Sequence, residues 1–100
     1  QALRLSKRLE SVDVPQFKDT LGWVAYRSGD FATALRNLEV AAEKLPNLAL
    51  VHYHLAMTYA ALKRSADARA RFAVAEAKLT ADDPLKGKIA AAVAALPAGN

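Results

Sequence analysis

The sequence predicts an all-α fold, and three observations lead to this prediction. Alanine is abundant while glycine and proline number only four each, a composition that favours helices over turn-rich β structure. Apolar residues recur at helical spacing along most of the chain, and no stretch of useful length alternates with period two. The same apolar pattern returns after 34 residues, as when Leu55 follows Leu21, which indicates one helical hairpin built twice.

Start and end signals divide the chain into six predicted helices. Pro15 suits the first turn of a helix, Gly29 can end that helix in the left-handed conformation, and Asp30 can cap the next one. Asp83 is a second strong cap, and Ser65 is the predicted cap after a weaker break. Helices are therefore expected near residues 2–11, 15–28, 31–45, 48–62, 66–79 and 84–96.

The repeated pattern predicts the organisation of the chain. Leu21 corresponds to Leu55 and Ile89, and Leu38 corresponds to Phe72, in each case with matching apolar character. The predicted units are a partial helix of a preceding unit at 1–14, one hairpin at 15–48, a second at 49–82, a capping helix at 83–96 and a tail at 97–100.

Two sets of residues carry a family resemblance. They are Leu21, Gly22, Gly29, Asp30, Phe31, Ala34, Leu38, Ala41 and Pro46 in the first copy, and Leu55, Ala56, Tyr59, Ala68, Phe72 and Ala75 in the second. Together they resemble the tetratricopeptide repeat family, whose period is 34 residues. The resemblance covers about residues 15–96 and implies a short right-handed solenoid of helical hairpins, with two repeats, a C-terminal capping helix and a partial N-terminal helix.

The second copy departs from the family pattern at its turn. Lys63 and Arg64 replace the usual glycine and its neighbour, and Thr80 stands where the first copy has Pro46. A lysine in the left-handed conformation costs about 1 kcal/mol more than glycine, so we expect a slightly altered turn there. In the first copy, Ala25 occupies a place where the family usually has a tyrosine.

A second face on the first helix of each hairpin is the candidate binding surface. On a helical projection this face lies opposite the packed side, and its edges are polar. Aromatic residues and methionine, which are enriched at protein interfaces, are prominent in it. The candidate residues are Asp19, Trp23, Tyr26, Arg27, Leu50, Tyr53, His54 and Met57.

The resemblance implies that these first helices line a concave groove for a peptide or protein ligand. We therefore predict a protein–protein interaction scaffold that binds a peptide or helix. The alternative is a structural spacer repeat whose inner patch mediates repeat stacking or homodimerisation. The identity of the partner stays open.

No catalytic, metal or cofactor site is predicted, and the chain is not expected to be an enzyme. Cysteine is absent, and no glycine-rich phosphate loop occurs. His52 and His54 point about 200° apart on a helix, so they cannot chelate one ion, and we expect both to be partly exposed.

The net charge of +4 permits an acidic partner without requiring one. Basic residues of the second copy alternate with Asp67 and Glu76 and lack stacking aromatics, so no nucleic-acid partner is predicted. No apolar run reaches the roughly 18–20 residues of a membrane span.

We expect the chain, which begins at Gln1, to be a piece of a longer protein. It also resembles the closing repeats of long bacterial multi-repeat proteins, which favours the cell envelope or periplasm over the cytoplasm.

Overall fold

The computed structural model describes residues 14–97, and within that range the backbone forms five helices and no strand. The helices are α1 (Pro15–Arg27), α2 (Phe31–Lys44), α3 (Ala49–Ala61), α4 (Ser65–Ala77) and α5 (Pro84–Ala94). The all-α prediction is confirmed, and each predicted end lies within two residues of the observed one. The predicted helix at 2–11 and the tail beyond Pro97 lie outside the described residues.

Both tight turns use a residue in the left-handed conformation. Gly29 has φ 88° between α1 and α2, and Lys63 has φ 65° between α3 and α4. Asp30 caps α2 by accepting a hydrogen bond from the Thr33 amide at 3.2 Å. Asp83 caps α5 by accepting from the Leu85 amide at 2.9 Å.

The prediction that Ser65 caps α4 is wrong. Arg64 is the N-cap residue and makes no side-chain cap bond, while Ser65 is the first helical residue and is buried. The reason lies in the turn, because Lys63 takes the same left-handed conformation as Gly29 and so α4 begins two residues later, as α2 does.

The helices pack as two antiparallel hairpins, here called the first hairpin (α1 and α2) and the second hairpin (α3 and α4). Helices α2 and α3 pack against each other between them, α1 also touches α3, and α5 packs against α4. Buried apolar residues recur at the 34-residue offset: Leu21, Leu55 and Ile89; Ala25 and Tyr59; Ala34 and Ala68; Leu38 and Phe72; Ala41 and Ala75.

Gly22 permits a close approach of α1 to α2. A Cβ atom at Gly22 would lie 2.5 Å from Cγ of Leu38 and 3.2 Å from the carbonyl oxygen of Ala34. The equivalent position of the second hairpin holds Ala56, which is fully buried. The first hairpin is therefore held tightly at a point where any side chain would collide.

Helical spacing predicts Val24 on the packed side of α1 with Leu21 and Ala25, but this prediction is wrong, since 46% of the surface of Val24 is exposed. Helix α1 packs against α2 and α3, and Val24 lies off both contacts. Val24 is thus an exposed apolar residue on a helix whose aromatic side chains are better covered.

Candidate binding face on α1 and α3

Rings from both hairpins meet on one side of α1 and α3. Trp23 stacks on Tyr26, one helical turn further along α1, with ring centroids 4.6 Å apart and planes 5° from parallel. From α3, His54 stacks on Trp23 at 4.0 Å, and the Tyr53 ring is tilted by 47° at 6.2 Å. We call these four residues the aromatic face, in which the buried His54 supports the three half-buried rings. It exists because the first helices of the two hairpins lie side by side.

A histidine–carboxylate pair joins the hairpins beneath this face. Nδ1 of His54 lies 2.8 Å from Oδ1 of Asp19, and the two side chains are 8% and 16% exposed. In the neutral tautomer Nδ1–H donates to the carboxylate, which fixes the orientation of the ring that stacks on Trp23. Nε2 bonds to no described group, and because no buried polar side-chain atom in the described range lacks a partner, Nε2 reaches the surface.

The two tyrosines connect the aromatic face to the core. Tyr26 contacts the Phe31 ring at 5.5 Å, and Tyr53 contacts the Phe72 ring at 6.1 Å. Burial raises the pKa of Tyr26, and the neighbouring Tyr53 raises it further. The Tyr26 hydroxyl is therefore a neutral hydrogen-bonding group at physiological pH.

Of the eight candidate residues, the structure brings five together: Asp19, Trp23, Tyr26, Tyr53 and His54. Arg27 is exposed at the end of α1, and Leu50 is 50% exposed in the first turn of α3. Neither takes part in the ring contacts. Met57 is half-buried further along α3, where it faces a pocket shared with α5.

Sequence reasoning missed this pocket, whose volume is about 380 Å³. Met57 and Ala60 of α3 contribute to one wall, and Ala92, Ala95 and Leu96 contribute from α5 and its end. Lys63 and Ser65 also line it. The alanines of α5 gave a helix signal, but the gap depends on the angle at which α5 leaves α4, which no local pattern specifies.

The expectation that both histidines are partly exposed is wrong. His52 is 2% exposed and His54 is 6% exposed, because α3 is covered by α1 and α2 on one side and by α4 on the other. Their rings have separate partners and cannot share an ion. Within residues 14–97 no group of three or more potential ligands among His, Cys, Asp and Glu is placed to hold a metal.

His52 connects the loop between the two hairpins to α4 by hydrogen bonds. Its Nε2 donates to the carbonyl oxygen of Pro46 at 2.7 Å, and its Nδ1 accepts from Nη1 of Arg71 at 3.2 Å. Burial lowers the pKa of His52, and the positive charges of Arg71 and Lys78 lower it further, against the opposing effect of the bond to Pro46. The ring is therefore neutral at neutral pH, with its proton on Nε2.

The described helices include none that is both long and apolar enough to cross a membrane. The chain has no significant match among protein-family models, curated proteins or solved structures. The tetratricopeptide assignment therefore stays a prediction.

Proposed function

We propose that the chain is a protein–protein interaction module of tetratricopeptide type that binds a peptide or helix across its aromatic face. The observation that carries this proposal is the ring surface formed by Trp23 and Tyr26 of one hairpin with Tyr53 of the next, which lies over the buried ring of His54. Residues from two hairpins are needed to make it, so the surface is a property of their stacking.

The offset of 34 residues supports the repeat assignment. The two left-handed turns, at Gly29 and Lys63, are separated by that distance, and so are the fully buried Leu38 and Phe72. A second hairpin that repeats the first in this register sets α3 beside α1. Stacked repeats of this kind present their first helices on one shared, concave surface.

The aromatic face has the composition of a binding surface. Tyrosine and tryptophan give large contact areas at low entropic cost, and interfaces are enriched in them. Covering ~300 Å² of apolar surface at ~25 cal/mol/Å² contributes about 7 kcal/mol before the costs of ordering and association. The expected affinity is therefore weak to moderate, typical of a short peptide.

The face is also held in place before any ligand binds. Asp19 orients His54, His54 stacks on Trp23, and Tyr53 is backed by the buried Phe72. A ligand therefore does not have to order these side chains, and preorganisation of this kind lowers the cost of binding. Arg27 and Leu50 lie around the face, where they offer one charge and one apolar contact to the ligand.

A peptide selection tests the proposal. A phage-displayed library of random 12-residue peptides is panned against the chain, and selected peptides are titrated while the fluorescence of Trp23, the single tryptophan, is followed. A displayed peptide that covers Trp23 changes its emission. We expect Tyr53→Ala to weaken binding about tenfold or more, as loss of an interface aromatic does.

The matched control is Val24→Ala, which shortens an exposed apolar residue on the same helix and is expected to bind peptides as the parent chain does. Trp23→Ala is measured by calorimetry, since it lacks the fluorophore. Peptides that bind both ring variants at parent affinity, with helicity retained, would overturn the proposal. A dimer that light scattering detects and that Trp23→Ala abolishes would favour the spacer alternative instead.

A further inference from the structure

The pocket between α3 and α5 differs in chemistry from the aromatic face. Six of its lining residues have no side-chain group that forms hydrogen bonds or carries charge: Met57, Ala60, Ala92, Ala95, Leu96 and Pro97. Arg69 of α4 donates a hydrogen bond to the carbonyl oxygen of Pro97, which ties the far end of the pocket to the second hairpin. The result is an apolar space of about 380 Å³, large enough for a small ligand.

One corner of this pocket is polar and positively charged. Lys63 is exposed there and forms no ion pair within the described range. Ser65 also lines the corner, is 97% buried with a relative exposure of 3%, and makes no hydrogen bond through its hydroxyl to any described group. Because no buried polar side-chain atom in the described range lacks a partner, this hydroxyl oxygen is open to the pocket, where it can bond to a polar ligand atom.

The start of α4 lies at the same corner, because Ser65 lines the pocket. Ser65 is the first residue of the helix, and the N-cap residue Arg64 supplies no side-chain acceptor for the first amides. Free amides at a helix start favour an anion. Asp67, the only carboxylate of the first turn, is held by Nε of Arg64 at 2.9 Å and does not line the pocket.

We propose that this pocket binds a medium-chain aliphatic carboxylate. The carboxylate would accept hydrogen bonds from Ser65 and the first amides of α4 and lie beside Lys63, while the alkyl chain fills the space between Met57 and Leu96. A chain of about eight to ten carbons suits a pocket of this size. The site is separate from the aromatic face, which lies on α1 and α3.

A peptide fits this pocket less well than an alkyl chain. Each peptide unit carries a donor and an acceptor that need partners when buried, and the lining beyond Lys63 and Ser65 offers no polar side chains. An alkyl chain makes no such demand. The charge at the polar corner selects an acid over an alcohol or an amine of the same length.

Titration with sodium decanoate tests the proposal, with amide chemical shifts followed by nuclear magnetic resonance below the concentration at which decanoate forms micelles. We expect saturable shifts at Ser65, Met57 and Ala92, with binding about fourfold weaker for each methylene removed, to the extent that the methylene is buried. Decylamine and 1-decanol are the head-group controls and are expected to bind at these residues at least threefold more weakly than decanoate, because neither head group forms an ion pair with Lys63.

Two variants remove the polar corner without disturbing the helices. Lys63→Gly keeps the left-handed turn and is expected to weaken decanoate binding about threefold to fivefold. Ser65→Ala removes the hydroxyl, and Ala95→Leu fills the pocket from an exposed position. Trp23→Ala does not touch the pocket and is expected to bind decanoate normally, so failure here and failure of the aromatic face are distinguishable.

Equal binding of decanoate and 1-decanol would overturn the proposal, and so would unchanged binding to both Lys63→Gly and Ser65→Ala. Shifts confined to the Trp23 region would also overturn it, because they would place the alkyl chain on the aromatic face. A leucine-ended peptide that binds at Ser65 when decanoate does not would show that the pocket is a peptide site instead.

Discussion

At the centre of the first hairpin Gly22 lies against Leu38, whereas the equivalent positions of the second hairpin hold Ala56 and Phe72. The first hairpin gains stability from the close approach of two helices, while the second gains it from a larger buried side chain. A similar exchange occurs where Tyr59 takes the place equivalent to Ala25. Two helical hairpins can therefore share one backbone pattern while their buried side-chain volume is divided differently between the two helices.

The distribution of small and large side chains between equivalent positions also decides where aromatic residues are available for binding. In the first hairpin the interior position holds Ala25 and the outer one holds Trp23, while in the second the interior holds Tyr59 and the outer holds Met57. Tyr59 is engaged, since its hydroxyl donates to Glu39 at 3.1 Å and burial raises its pKa. The first hairpin thus places its aromatic residues on the surface, and the second places more of them in the core.

The largest expected effect on stability comes from truncating the buried aromatic side chain at the centre of the second hairpin. Phe72 is 1% exposed, so Phe72→Ala should lower the free energy of unfolding by about 3–5 kcal/mol through lost apolar contact and the cavity left behind. Leu38→Ala in the first hairpin should cost somewhat less, since fewer atoms are removed. Urea unfolding measures both. A larger loss for Leu38→Ala would mean that the first hairpin, rather than the second, anchors the core.

Adding a side chain at Gly22 should destabilise the packing of α1 against α2 in the first hairpin. Gly22→Ala places a Cβ atom within 2.5 Å of Leu38, so about 1–3 kcal/mol of stability should be lost through displacement of the helices. Gly87→Ala is the matched control, because nothing lies within 4 Å of its Cβ position, and it should stabilise α5 by about 0.5–1 kcal/mol. If both substitutions stabilise the chain, the close approach of α1 to α2 does not limit packing.

The helices and the core could be predicted from the sequence, because they depend on local signals. These signals are the apolar spacing, the cap residues Asp30 and Asp83, and the turn at Gly29. The 34-residue offset also predicted that Trp23 and Tyr53 share one surface, and their rings are 6.2 Å apart. The burial of the histidines was not readable, because it depends on how many helices surround α3. The pocket beside α5 depends likewise on an interhelical angle.

Lowering the pH should lower the free energy of unfolding through the protonation of His52. The folded-state pKa of His52 is lowered by burial, so below the ordinary value of about 6.5 the unfolded chain takes up a proton that the folded chain resists. Its contribution to stability is therefore complete above that pH and is lost as the pH falls, by about 1.4 kcal/mol for each pH unit that separates the two pKa values.

His52→Gln sharpens this test, because an amide group can donate to Pro46 and accept from Arg71 without titrating. Unfolding free energies measured between pH 7.5 and 5 should fall less steeply for this variant than for the parent chain. Identical slopes would assign the acid sensitivity to other groups.

The smallest expected effect concerns the two turns, which share a conformation but not a residue. Lys63 has a side chain at φ 65°, where a lysine costs about 1 kcal/mol relative to glycine, so Lys63→Gly should raise the free energy of unfolding by about 0.5–1 kcal/mol. Gly29→Lys should lower it by about 1 kcal/mol, since nothing lies within 4 Å of the Cβ position of Gly29 and the backbone conformation alone opposes the change. Chemical unfolding of both variants measures the difference. A neutral Lys63→Gly would mean that the lysine side chain makes contacts that offset its strain, and the second turn would then be as relaxed as the first.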